Sequence, residues 1–198
     1  MRWIQHWKIG TECLGSSNGS TSIAYQLGTV MPDWFEKQSP HTINKSLDIV
    51  LDRVSILCRL PKSDIRRQFM LGTIVHFLTD FCCYSHTEQN YTKWIYHRIF
   101  EVKAQKLYCS QKTYKYILNM DDFYNEFIQQ CPKSDFGVYY YDTYKNIANF
   151  IDYYKDIIQY RYITPHIKWY YDETIMNKDT YCAYNLIYGV LALLGEFQ

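Results

Sequence analysis

The sequence predicts an all-α fold, a compact helical bundle forming a single domain over residues 1–198. Three observations carry this. Apolar residues return at three- and four-residue steps over long stretches. No stretch of convincing length alternates apolar with polar. Prolines and capping residues cut the periodic stretches into helix-sized pieces. A chain of 198 residues with 47% apolar and 21% charged content is long enough to bury a core and reads as globular rather than disordered.

The elements follow in order. Residues 2–14 form a short N-terminal helix that carries His6, and Gly15-Ser16-Ser17-Asn18-Gly19-Ser20 is a flexible loop by composition. Met31-Pro32-Asp33-Trp34 through Ser39-Pro40-His41 has two prolines and no clean period, which suits a ligand-bearing loop. From Lys45, the residues Leu47, Val50, Leu51, Val54 and Leu57 mark one face of an amphipathic helix that Leu60-Pro61 stops. Ser63-Asp64 offers a fresh N-cap for a helix from about 64 to the Cys82–Ser85 region. Further helices are expected at about 88–105, near 112–130 and at 139–160. The last of these shows a stripe of Tyr144, Ile147, Ala148, Ile151, Tyr154 and Ile158 that ends at Ile163-Thr164-Pro165. The final helix, about 178–195, is apolar on most sides and is expected at the centre of the core.

Composition excludes several classes. A net charge of +1 gives no electrostatic footprint for a dedicated nucleic-acid binder, so that partner is disfavoured. The count of seven cysteines is odd and no C-x-x-C pair occurs, which argues against a disulfide framework or a thiolate zinc knuckle and for free buried thiols. The start lacks the apolar core of a signal peptide, and no run is long enough to span a bilayer, so the expectation is a cytoplasmic protein without a transmembrane segment. The 21 tyrosines are consistent with codon bias or with an aromatic surface for lipid headgroups and transient membrane contact.

Five of the six histidines fall into one ordered pattern with carboxylates between them. The core is His76-x3-Asp80-x5-His86, followed by His97-x3-Glu101, with His6 and Asp33-x7-His41 upstream. His76 and Asp80 are four apart and share one helix face; His97 and Glu101 repeat that geometry on the next helix. His86 falls at the turn between these helices. Nitrogen and oxygen ligands without sulfur leave zinc Lewis-acidic and able to activate water near neutral pH. Two or more such ions suit phosphate-ester hydrolysis. His166 matches nothing in the pattern, and Cys82 and Cys83 read as packing residues within it.

These residues resemble the signature of the bacterial zinc-dependent phospholipase C family, H-x3-D-x5-H, a spacer, then H-x3-E. Gly72, Asn90, the Met31-Pro32-Asp33 turn and His6 are similar to the family's pattern as well. The resemblance implies a first zinc held by Asp33, His41, His76 and Asp80 and a second held by His86, His97 and Glu101. It implies a third position at His6 and a bridging Asp80. Secreted members complete that third position with an exposed N-terminal tryptophan. This chain begins Met1-Arg2-Trp3, so two zincs are expected and the third is in question. The resemblance further implies a zinc-activated water that cleaves a phospholipid or other phosphodiester, Asp33 as candidate general base, and Trp34 beside a substrate headgroup. Two alternatives stand beside this reading. One is an S1/P1-type nuclease, which places an aspartate four after the last histidine where this chain has Glu101. The other is a structural or metal-sensing zinc domain.

Overall fold

The computed structural model describes residues 3–18, 22–35, 41–87, 94–110, 139–160 and 173–196. Among them the architecture is helical throughout, as the periodicity predicts: α1 (Trp3–Asn18), α2 (Ile23–Gly28), α3 (Pro32–Phe35), α4 (Ile43–Leu57), α5 (Ile65–Phe81), a 3-10 turn (Tyr84–His86), α6 (Trp94–Ser110), α7 (Tyr139–Tyr160) and α8 (Glu173–Leu193). No helix among the described residues is long and apolar enough to cross a membrane.

The axis of the bundle is α5. Asp64 caps it, its carboxylate accepting from Arg66 N at 2.8 Å. Every residue from Leu71 to Phe81 is buried. Helices α1, α2, α4 and α8 all pack on it. The sequence suggests α8 for the central place. That helix is indeed buried on most sides, but it is α5 that α1, α2, α4 and α8 all meet, with Gly72 admitting the backbone of α2.

The closest approach is between α2 and α5. A Cβ at Gly72 would lie 2.2 Å from Tyr25 O and 2.9 Å from Gly28 Cα; a Cβ at Gly28 would lie 2.1 Å from Phe69 O. Two backbones meet where only glycine fits. Ser22 starts α2 by accepting from Tyr25 N at 3.1 Å, and the buried Tyr25 hydroxyl donates to Gly10 O of α1 at 2.8 Å. Thus α1, α2 and α5 are locked at one level, and His6, Thr29 and His76 gather there.

Helix α4 buries Val50, Val54 and Leu57, and α7 buries Ile147, Ile151 and Tyr154, all on the predicted stripes; α7 also buries Phe150, which the predicted stripe does not include. Arg67 of α5 forms a buried ion pair with Glu196 just past α8, where Lys62 Nζ also donates to Gly195 O at 2.6 Å. Gly195, with φ of 70°, turns the chain there, a left-handed position suited to glycine.

Several expectations need correction. Helix α1 runs through Gly15–Asn18, read as loop, because propagation from a turn anchored by buried Cys13 and Leu14 costs far less than nucleation. The irregular stretch before His41 contains α3, with Pro32 at its first position, where a missing N–H costs nothing. Helix α6 extends to Ser110 rather than 105, and α8 begins at Glu173 rather than 178. Cys109 is exposed rather than buried, whereas Cys13, Cys82, Cys83 and Cys182 are buried free thiols. The helix expected near 112–130, and Asn90, Cys131 and His166, lie outside the described residues.

Candidate metal centre

All eight candidate ligands converge at one end of the α1–α2–α5–α6 assembly. The focus is Asp80 on α5, which is fully buried. Four imidazoles approach its two oxygens. His6 Nε2 and His86 Nε2 lie 3.3 and 3.5 Å from Oδ1. His41 Nδ1 and His76 Nε2 lie 2.8 and 3.2 Å from Oδ2. On the α6 side, Glu101 Oε1 lies 3.6 Å from His86 Nε2 and 3.0 Å from His97 Nε2. On the other side, Asp33 Oδ1 lies 3.7 Å from His76 Nε2 and 4.0 Å from His41 Nδ1.

Among the described residues, three overlapping groups have donor atoms close enough to hold a metal ion: His6, Asp33, His76 and Asp80; His41, Asp80 and His86; and His86, His97 and Glu101. The last is the set that the resemblance implies for a second zinc. These groups put His6 with Asp33 and His76 and put His41 with His86, but His41 Nδ1 also lies 3.2 Å from His76 Nε2, beside the residues that the resemblance assigns to the first zinc. Asp80 and His86 each belong to two groups, so the positions are nested rather than separate.

The local sequence explains the convergence. On α1, His6 shares the face of Ile9 and Cys13, which pack into the core, so His6 is carried inward. It stacks on His76 with ring centroids 4.0 Å apart. The four-residue steps from His76 to Asp80 and from His97 to Glu101 do what helical geometry requires. The tight turn after α5 brings Ser85 and His86 back towards the start of α6.

The donor set fits a divalent cation better than it fits hydrogen bonding alone. His76 Nδ1 lies 2.9 Å from Thr29 O, a carbonyl that can only accept, so Nδ1 carries the proton and donates. In the neutral ring, Nε2 is then a bare lone pair facing Asp80, Asp33 and His41. His97 repeats the arrangement: Nδ1 donates to Ser85 O at 3.0 Å, and Nε2 faces Glu101. A carbonyl that accepts from the far N–H and so directs the near lone pair at a metal ion is how proteins orient metal-binding imidazoles, and a cation between that lone pair and the facing carboxylate would turn a repulsion into two bonds. His41 Nε2 is buried with no hydrogen-bond partner. Zinc–ligand bonds of about 2.0–2.2 Å at tetrahedral angles separate neighbouring donors by about 3.3–3.6 Å, and most distances here fall close to that.

Electrostatics point the same way. Burial favours the neutral acid at Asp80, yet His86, His6 and His76 hold it well below the usual carboxylate range. Burial likewise opposes ionisation of Glu101, and hydrogen bonds from His86 and His97 keep its carboxyl far below normal. Burial pushes His86 down to about 4, and burial together with His76 lowers His6. For His76, burial is outweighed by Asp80 and Asp33, which raise it. The result is ionised Asp80 and Glu101 beside neutral His6 and His86, the protonation state in which such groups bind a metal ion.

Access is from the Asp33 side. The Asp33 side chain is 28% exposed, against 0% for Asp80 and His76. Its neighbour Trp34 is 59% exposed, which removes core packing as that residue's role. Cys82 and Cys83 are buried and belong to none of the three groups. Two contributors escaped the motif reading, Thr29 and Ser85, because each acts through a backbone carbonyl that any residue possesses.

The description of the zinc dependent phospholipase C family matches residues 6–181, a span that takes in all eight donors. No curated protein and no solved structure matches the chain. With the family pattern covering most of the chain and its ligand-type residues gathered around one buried carboxylate, the chain belongs to the zinc-dependent phospholipase C family.

Proposed function

We propose that this protein is a zinc-dependent phosphoric diester hydrolase of the phospholipase C type, cleaving a phospholipid or another phosphodiester. The observation that carries the reading is the nested, sulfur-free donor set around Asp80, with one side open to solvent at Asp33. Zinc held there supplies positive charge for the phosphoryl oxygens and an activated water.

The roles of the chain's own residues follow from their positions. Asp80, with two carboxylate oxygens, would be shared between neighbouring positions, whereas the single Nε2 lone pair of His86 would serve one of the two groups it borders. Thr29 and Ser85 keep His76 and His97 in the tautomer that presents Nε2. Asp33 is both a candidate ligand and the candidate general base. It is the most exposed donor and the least tightly held, at 3.7 and 4.0 Å from the nearest nitrogens, so it can take a proton from the attacking water and return it to the leaving alkoxide. Trp34, next to Asp33 in the chain and 59% exposed, is assigned to the substrate headgroup; a quaternary ammonium on its ring would gain a cation–π contact. Glu101, in place of an aspartate, favours the phospholipase branch over the nuclease branch.

The test is a substrate panel on the zinc-loaded protein: phosphatidylcholine vesicles, a chromogenic phosphodiester and single-stranded DNA. Asp33→Asn is expected to lower kcat by about 10²–10⁴-fold, the usual worth of a positioned base. Cleavage of DNA but not of phosphatidylcholine would replace this reading with the nuclease one. Full zinc occupancy with no hydrolysis of any diester would replace it with a structural or sensing role.

A further inference from the structure

We propose that Asp179, on α8 and 78 residues beyond Glu101 in the sequence, is a positioning residue for the His86–His97–Glu101 position. The proposal rests on the reading of those three side chains as metal ligands.

The 3-10 turn Tyr84–His86 is a demanding piece of backbone. It delivers His86 Nε2 to Asp80 and Glu101, and it delivers Ser85 O to His97 Nδ1. Two of the three ligands therefore take their orientation from three residues of chain. Such a turn has exposed N–H groups at its start that need an acceptor. The residue at its N-cap, Cys83, makes no side-chain capping hydrogen bond. The acceptor comes instead from α8: Tyr84 N donates to Asp179 Oδ2 at 2.7 Å. Asp179 is 1% exposed, and Tyr84, Ser85 and His86 are buried as well.

A carboxylate buried in an apolar helix is costly, and it is retained where it meets a specific demand. One demand that Asp179 meets is the start of the ligand-bearing turn. Asp179 lies among the buried residues Ile175, Met176, Cys182 and Ala183, which fix α8 against its neighbours. The acceptor is thus rigidly placed, and a displacement of the turn moves His86 directly and His97 through Ser85 O. Groups that orient metal ligands in this way are worth about 10–100-fold in metal affinity.

Chelator competition with zinc and cobalt(II) tests the proposal on the full chain, with circular dichroism to verify folding. Asp179→Ala is expected to weaken the metal binding that draws on His86 by about 10–100-fold and to leave the His6, Asp33, His76 and Asp80 group in place. Asp179→Asn, which keeps an acceptor oxygen, is expected to retain most of the affinity. Asp179→Glu, which moves the acceptor by one methylene in a packed site, is expected to weaken the same binding, and it serves if the alanine variant does not fold. In a His97→Ala background, Asp179→Ala is expected to cost less than it does in the wild type, because only the direct effect on His86 remains. Wild-type metal binding by both Asp179→Ala and Asp179→Glu, or a full additive loss in the His97→Ala background, overturns the proposal. If His97→Ala itself leaves metal binding unchanged, the underlying ligand reading is wrong, and the proposal falls with it.

Discussion

Gly72→Ala tests the link between fold and site with a single methyl group. The new Cβ would sit 2.2 Å from Tyr25 O and 2.9 Å from Gly28 Cα. Ordinary contacts begin near 3.4 Å, so about 1 Å of backbone separation is needed. Both obstacles are main chain, which cannot rotate away. Helix α2 must lift from α5, carrying with it Thr29, whose carbonyl accepts from His76 Nδ1 at 2.9 Å. A shift of about 1 Å stretches that bond beyond useful range. The overpacking costs about 1–3 kcal/mol, and the lost buried hydrogen bond adds about 1 kcal/mol. For a chain of this size a total of about 2–4 kcal/mol lowers Tm by roughly 5–15 °C. Zinc affinity should fall as well, by about 10–100-fold, because the His76 tautomer is no longer enforced. Gly10→Ala is the control, since its Cβ meets side chains, Thr29 Cγ2 at 2.9 Å and Val75 Cγ1 at 3.3 Å, that have more freedom to give. Differential scanning calorimetry and chelator competition read the two effects separately. A Gly72→Ala protein with wild-type Tm and zinc affinity would refute the argument.

Other predictions follow from the same structure. After chelation, stability should fall as pH drops from about 6.5 towards 4: His86 stays neutral in the fold until about 4, whereas the unfolded chain takes up that proton near 6.5. The loss reaches about 3 kcal/mol, reinforced by His6 and partly offset by His76. Urea midpoints that rise over this window would contradict the assignment. Alkylation at pH 8 should modify exposed Cys109 quickly while sparing Cys83, a buried thiol that burial pushes up to about 12; equal rates by peptide mapping would count against the burial pattern. Truncating one partner of the buried Arg67–Glu196 pair, as in Glu196→Ala, should cost about 3–5 kcal/mol in equilibrium unfolding. The double replacement Arg67→Met with Glu196→Leu should recover much of that loss.

Much of this architecture was legible in the residues, for physical reasons that can be named. The Val50, Val54 and Leu57 stripe and the Ile147, Ile151 and Tyr154 stripe are long enough for their period to be unambiguous, and Asp64 is a cap in the sequence and in the structure. The histidine and carboxylate pairs on α5 and α6 were legible because four-residue spacing on a helix is itself a statement about geometry. Helices α2 and α3 were not, since six and four residues are too few to show a period. The centrality of α5 was hidden by Gly72, whose importance lies in what a missing side chain allows. The support given to His76 and His97 was invisible because it comes from the carbonyls of Thr29 and Ser85. Asp179 gave no signal either: one acid in an apolar helix resembles a solvated residue until the turn it caps is seen beside it.

Zinc K-edge X-ray absorption on the purified protein, combined with metal analysis, addresses the central claim most directly. More than one zinc per chain is expected, with only nitrogen and oxygen scatterers at about 2.0–2.2 Å. Zinc well below one per chain, or a sulfur shell near 2.3 Å implicating the buried cysteines, would contradict it.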